Sequence, residues 1–369
     1  MNLFISILNI FTLFLCLISC SKDPATNTPS VVASDETYGK ITLGPLNRIY
    51  ADSQMPYTMD GSWATLKNAD GSMTFFETAM GRFPYYYRHT GTFDNPLKTQ
   101  LDPFVWDYNG YNHEHPSGCW IPNIYKHTKD TLIGLVHRED LYPANNDPYG
   151  RGRFFIGLAR SFDGGTHWKY LGDVLGTIGN ALKTPGLSNI GGVPYLIVDN
   201  YIYLYFNEKN LNGDPDGLSV ARASVTDVIN SIKNDRVCPF LKYNNGNWTE
   251  NGMVGKGSNI ISDIQPQYDF HSDAAYCSAL GKYLITVQTH SLNTLLLYQS
   301  TDGINWGERI KLDYAPGNMQ PYSSFVGFDS DASDDSHIVG SEFYIYIDRK
   351  NISNYDYDEM YYRKVTIKK

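Results

Sequence analysis

Residues 200–208 read NYIYLYFNE. A turn-forming Asn200 opens the run, six aromatic and aliphatic residues follow, and Asn207-Glu208 closes it. Aromatic and β-branched residues in a short run bounded by turn residues predict a buried strand. The same shape recurs as SMTFFET at 72–78, DTLIGLVHRED at 130–140, GKYLITVQ at 281–288 and SEFYIYIDR at 341–349. Each follows a weaker opening strand and a turn, and each precedes another strand. The units can be traced from Asp60, Cys119, Gly192, His271 and Tyr322, at a spacing of about 50 to 80 residues. Between them Gly, Asp and Asn mark turns. Only Ala223 to Lys233 suggests a helix, short and placed in a connection. Five repeated antiparallel sheets bury their faces best by packing radially, so the expectation is an all-β, five-bladed β-propeller. A sandwich or jelly roll gives no reason for a recurring aromatic second strand.

Two further stretches support this reading. Ser161 to Trp168 reads SFDGGTHW, and Ser300 to Trp306 reads STDGINW. They fall late in the second and fourth units and resemble the Asp-box turns of sialidase-type propellers, the second being one residue shorter. Asp would accept backbone N–H bonds, Gly would take positive φ, and Trp would pack between blades. These turns are peripheral in such propellers, so Asp163 and Asp302 are not read as catalytic. The segment Trp120-Ile121-Pro122-Asn123-Ile124-Tyr125 resembles the second-blade opening Trp-Ala-Pro-Asp-Ile-Tyr of glycoside hydrolase family 43. The likeness covers the chain as blade rhythm but only about six residues as motif. It implies three carboxylates at a central funnel: a base on the first blade, an orienting Asp on the second and an acid Glu on the third. Asp60 falls at the base position. Asn123 stands where the orienting Asp would be, and Gly191-Gly192-Val193-Pro194 where the acid would be. Asn cannot titrate and Gly has no acid, so that triad is not present unchanged.

Bulk properties set the frame. The 369 residues are 42% hydrophobic and 19% charged, enough for a large core. Aromatics make up 14%, led by 29 Tyr, which suits both strands and sugar-facing surfaces. A net charge of −9 without a basic run argues against nucleic acid as partner. Residues 3–18 are almost wholly apolar and end in Leu17-Ile18-Ser19-Cys20, which resembles a bacterial lipobox. The expectation is a signal peptide over 1–19, lipid on Cys20, a flexible tether over 20–40 and the propeller over 41–369. No Lys or Arg precedes the apolar run. That departs from the usual signal-peptide pattern, whereas the lipobox implies an exported protein held by lipid at the envelope, in a Gram-negative cell at the outer membrane. Cys119, Cys238 and Cys277 cannot all pair and match no zinc spacing, so buried free thiols are expected. No metal or other cofactor is expected, although calcium in the central channel is left open; the chain is read as a monomer.

Glycoside hydrolysis needs two carboxyl groups. Asp60, Glu139 and Asp273 form the expected catalytic set, with Glu208 and Glu77 as further strand-end acids. Trp120, Asn123, His137, Tyr195, His271 and Tyr322 are the expected substrate-binding residues: imidazoles to orient or bind hydroxyls, aromatics to line the funnel. His113, His115 and His290 add to a concentration of imidazoles. A non-catalytic glycan-binding protein of an uptake system is the rival reading. A polysaccharide lyase, which would use His or Tyr as base and Arg against a uronate, rests on Tyr85 to Arg88, Arg138, Arg151 and Arg153.

Overall fold

The computed structural model describes residues 35–49, 57–81, 85–107, 116–141, 152–176, 192–208, 217–261, 270–289, 293–351 and 354–368. All lie in one compact unit spanning 34–369. The leader, Cys20 and the tether up to residue 34 lie outside the described residues. The tether's last part differs from expectation: Glu36–Tyr38 pairs with Ile41–Leu43 as an edge strand.

The strands form five sheets, here blades I to V. Blade I runs from Thr65–Lys67 through Met73–Phe76 and Arg88–Thr92 to Asn95–Gln100. Blade II begins with Pro116–Lys126 and Leu132–Leu141, and blade III with Tyr195–Val198 and Tyr201–Glu208. Blade IV begins with Phe270–Cys277 and Lys282–Thr289. Blade V joins Ser323–Gly327, Glu342–Asn351 and Asn354–Ile367 to the early strand Ile41–Leu43, so the two ends of the chain share one sheet. The aromatic runs noted in the sequence are the second strands of the five blades. The expected connecting helix is Val225–Lys233, capped by Ser224, whose hydroxyl accepts from the Asp227 N–H.

Five separate apolar clusters lie between blades. Phe76 and Tyr86 meet Ile121 and Trp168; Ile133 and Leu158 meet Leu204 and Phe206; Val220 meets Ile285; Leu284 and Leu297 meet Ile345 and Val365. The fifth joins Val326 and Tyr346 of blade V to Trp63 and Phe75 of blade I. Each blade therefore touches the next and the last touches the first, which makes the ring closed and the fold a five-bladed propeller.

The Asp-Gly turns work as local physics requires. Asp163 accepts from the Thr166 and His167 N–H groups, and Gly165 sits at φ 88°. Asp302 does the same for Ile304 and Asn305. Trp168 is fully buried and meets Phe76 of blade I edge-on at 6.1 Å, while Trp306 meets Tyr205 of blade III at 5.7 Å. Trp168→Ala is expected to cost about 3–5 kcal/mol, through the apolar area and the cavity left between blades. The check is the denaturant midpoint; a change within error would mean that the ring does not depend on this wedge.

Candidate functional site

The first strand of each blade lines the axis. Thr65, Asn123, Tyr195, Asp273 and Phe325, one from each blade, surround a single narrow void. Below it, residues 334–337 cross the channel. The Lys126 N–H donates to the Asp335 carboxylate at 2.7 Å, the Lys67 N–H to the Asp334 carbonyl at 2.6 Å, and the Tyr276 N–H to the His337 carbonyl at 2.8 Å. Burial opposes the charge on Asp335, yet His337 at 2.5 Å, the Lys126 N–H and Ser333 hold it below the usual carboxylate range. The opposite end, where the first strands start and the second strands finish, is here termed the mouth.

Asp60 stands at the mouth, just ahead of blade I. An isolated bridge between Met59 and Ala79 and a 2.6 Å bond from the Asp60 N–H to the Thr78 carbonyl fix its backbone. The Tyr322 hydroxyl donates to Asp60 Oδ1 at 3.0 Å. Burial first, and the charge of Glu139 second, raise the Asp60 carboxyl, which stands at about 6. The Tyr322 bond, His137 and Lys350 act the other way. Glu139 reaches the mouth from the second strand of blade II, with Oε1 3.2 Å from His137 Nε2. Its side chain is 21% exposed and that of His137 13%. Trp120 lies beside His137 with ring centres 5.7 Å apart and the planes tilted by 30°, and its indole N–H donates to the Ala79 carbonyl. These contacts join blades I, II and V around one carboxyl pair.

A prediction follows from the cause of the shift. Glu139→Gln removes a negative charge next to Asp60, so the Asp60 midpoint is expected to fall from about 6 toward the ordinary carboxylate range. Carbon-13 titration of aspartate carboxyls, assigned with Asp60→Asn, reads this directly. An unmoved midpoint would mean that the two carboxyls do not face one another.

The expected residues thus divide. Asp60, Glu139, His137, Trp120 and Tyr322 come together at the mouth, although Trp120 is buried and forms a wall behind His137 rather than an open stacking face. Asp273, Asn123 and Tyr195 lie deeper, in the channel. A break in strand register between His271 and Ala274 turns Asp273 inward. It is 5% exposed and accepts from the Phe325 N–H at 2.7 Å and the Ala274 N–H at 2.9 Å. Burial lifts it to about 7, against those two bonds and one from Asn123. Asn123 also donates to the Val193 carbonyl at 2.9 Å, and the Tyr195 hydroxyl to the Ile124 carbonyl at 2.9 Å. These three side chains staple neighbouring blades. The side chains of His271 and Arg153, and His113, His115, His290 and Arg151 altogether, lie outside the described residues.

The other strand-end acids have structural partners. Glu77 is buried and accepts from the Tyr87 N–H. Glu208 is buried against Lys242 at 2.5 Å and accepts from the Gly257 N–H at 2.6 Å. Gly192 sits at φ 71°, a backbone region that disfavours the Glu the resemblance would put there. Sequence reasoning missed Asp348, Lys350 and Asp358, which lie behind Asp60. The signal was present: Asp348 ends the second strand of its unit as Glu139 ends that of unit two.

Searches against protein families and against curated proteins find no match. Solved structures do resemble the chain. A glycosyl hydrolase from Bacteroides ovatus aligns at a TM-score of 0.48 and 12% identity, covering 87% of this chain and 94% of that one. A family 117 glycoside hydrolase produced by the marine bacterium Zobellia galactanivorans aligns at 0.48 and 12%, covering 87% and 90%. The GH43_1 enzyme from Xanthomonas citri, solved with xylotriose, aligns at 0.49 and 10%, covering 85% and 89%. At such similarity any activity has to be read from this chain's own site.

Proposed function

We propose that the protein hydrolyses a glycosidic bond in a polysaccharide or oligosaccharide, with Asp60 and Glu139 as the carboxyl pair. The observation that carries this reading is the convergence of two carboxyls at one end of the ring: Asp60, bonded to the Tyr322 hydroxyl and raised to about 6, and Glu139, bonded to an imidazole and 21% exposed. A carboxyl raised in this way is suited to donate a proton. Asp60 would protonate the leaving oxygen. Glu139, held by His137, would activate water or attack carbon. Tyr322 would keep Asp60 in its rotamer. The lipid anchor at Cys20, the signal peptide ahead of it and an outer-membrane location belong to the same proposal and rest on residues 3–20 alone.

One observation favours a second reading, a glycan-binding protein without turnover. Asn123 and Gly192 occupy the places where the resemblance expects two of three catalytic carboxyls, and Asp273 is enclosed. The lyase reading finds less support, since Arg138 holds Asp173 through two bonds of 2.8 and 2.7 Å. The test is a screen of the full chain against plant, algal and host glycans. Reducing-end release and the ultraviolet absorbance of unsaturated products are read together. Release that disappears in Asp60→Asn supports hydrolysis. Absorbance without release makes the protein a lyase, and retention on a glycan column without either makes it a binder.

A further inference from the structure

Behind Asp60, between blades V and I, three ionisable side chains are packed out of solvent. Lys350 and Asp358 form an ion pair, with Nζ 3.0 Å from Oδ1 and 3.2 Å from Oδ2. The pair grips both peptide groups of Met59, the residue before Asp60. The Met59 N–H donates to Asp358 Oδ2, and the Met59 carbonyl accepts from Lys350 Nζ at 2.5 Å. Lys350 also lies 5.6 Å from the centre of the Tyr322 ring. Asp348, two residues before Lys350 on the same strand, is wholly buried. Its N–H donates to the Tyr322 carbonyl at 2.9 Å. Neither of its carboxyl oxygens has a hydrogen-bond partner among the described residues, and its nearest cation is Lys350 at 4.0 Å. The buried unit thus clamps the backbone on both sides of the Asp60–Tyr322 bond.

Charge counting gives the unit its chemistry. Asp60 from blade I and Tyr322 from blade V face the unit, and His137 and Glu139 from blade II act on it only through Asp60 and Tyr322. Lys350 is already matched by Asp358. A second anion on Asp348, buried and without donors among the described residues, would be left uncompensated, which proteins avoid by taking up a proton. Burial pushes Asp348 well above the ordinary carboxylate range; Lys350 draws it back, and the charges of Asp358 and Asp60 push it up again.

We propose that Lys350, Asp358 and a protonated Asp348 form a buried positioning unit for Asp60, in which the ion pair fixes the backbone and the proton on Asp348 keeps the unit electrically neutral. The unit touches no substrate. It lets Lys350 stabilise the Asp60 anion, because Lys350 is not matched twice. The role assigned to Asp60 rests on the hydrolase reading, whereas the proton on Asp348 does not.

Infrared spectroscopy of the full chain tests the proton without a substrate. At about pH 7 a carboxylic-acid C=O band is expected in addition to that of Asp273, which titrates at about 7, and the difference spectrum between wild type and Asp348→Asn is expected to isolate it. Absence of that band from the difference spectrum overturns the proposal. Carbon-13 titration then tests the coupling to Asp60. Its midpoint is expected to stay within about half a pH unit in Asp348→Asn and to rise by about one unit in Lys350→Gln, with Lys350→Arg restoring it. A clear fall in Asp348→Asn would mean that Asp348 was an anion, and an unmoved midpoint in a folded Lys350→Gln would remove the coupling; either result overturns the proposal. If Lys350→Gln does not fold, the band and Asp348→Asn still decide. Sugar release that fails while these results hold overturns the hydrolase reading alone.

Discussion

Asp60→Asn is expected to lower sugar release by at least about 100-fold and, at the same time, to make the protein more stable above neutral pH. The two effects have one cause. The folded carboxyl titrates at about 6, whereas an unfolded aspartate titrates at about 4. A raised folded value contributes stability that is fully present below the unfolded value and is lost as pH rises through the folded one. Asn has no proton to lose and can still accept from the Tyr322 hydroxyl. Relative to wild type the variant should therefore gain on the order of 2 kcal/mol above about pH 7 and nothing below about pH 4. Denaturation midpoints at the two pH values, set beside sugar release, read both effects. Lost activity with no pH-dependent gain would mean that Asp60 titrates normally and that its contribution is steric.

The second large effect concerns a strand-end acid that the sequence places behind the expected catalytic set. Glu208→Ala is expected to cost about 3–5 kcal/mol, because it strands the Lys242 ammonium in the interior. Lys242 Nζ also donates to the Gly176 carbonyl at 2.9 Å and the Gly255 carbonyl at 2.8 Å, so it ties three segments together around blade III. A paired replacement, Glu208→Leu with Lys242→Met, is expected to recover much of the loss, since breaking a buried pair costs more than replacing it. Urea denaturation of the single and double variants measures this. Normal stability with abolished sugar release in Glu208→Ala would instead move Glu208 into the reacting set.

These two acids mark how much was legible in the sequence. Five aromatic second strands, their turns and their spacing could be read because strand alternation and turn chemistry are local. NYIYLYFNE and SFDGGTHW carry their physics within eight or nine residues. The closure of the ring was less explicit, because the strand Ile41–Leu43 is short and its partner, Asn354–Ile367, lies at the far end of the chain. The site was legible by residue type and strand position but not by environment. Asp273 opens its unit as Asp60 does, yet a register break sends it into the channel, where it bonds to backbone amides.

The sequence by itself determined an all-β repeat, the aromatic cores of its blades and a carboxyl group at the mouth end of several second strands, Glu77, Glu139 and Glu208 among them. Tertiary structure alone decided what each carboxyl does. Glu77 meets the Tyr87 N–H, Glu208 meets Lys242, Glu139 meets His137, and Asp348 has Lys350 only at 4.0 Å. A carboxyl's charge and proton affinity are set by the donors, cations and solvent within a few ångströms of it. Around Asp60 those neighbours come from Glu139, Tyr322 and Lys350, distant in the chain and brought to one mouth only when the ring closes.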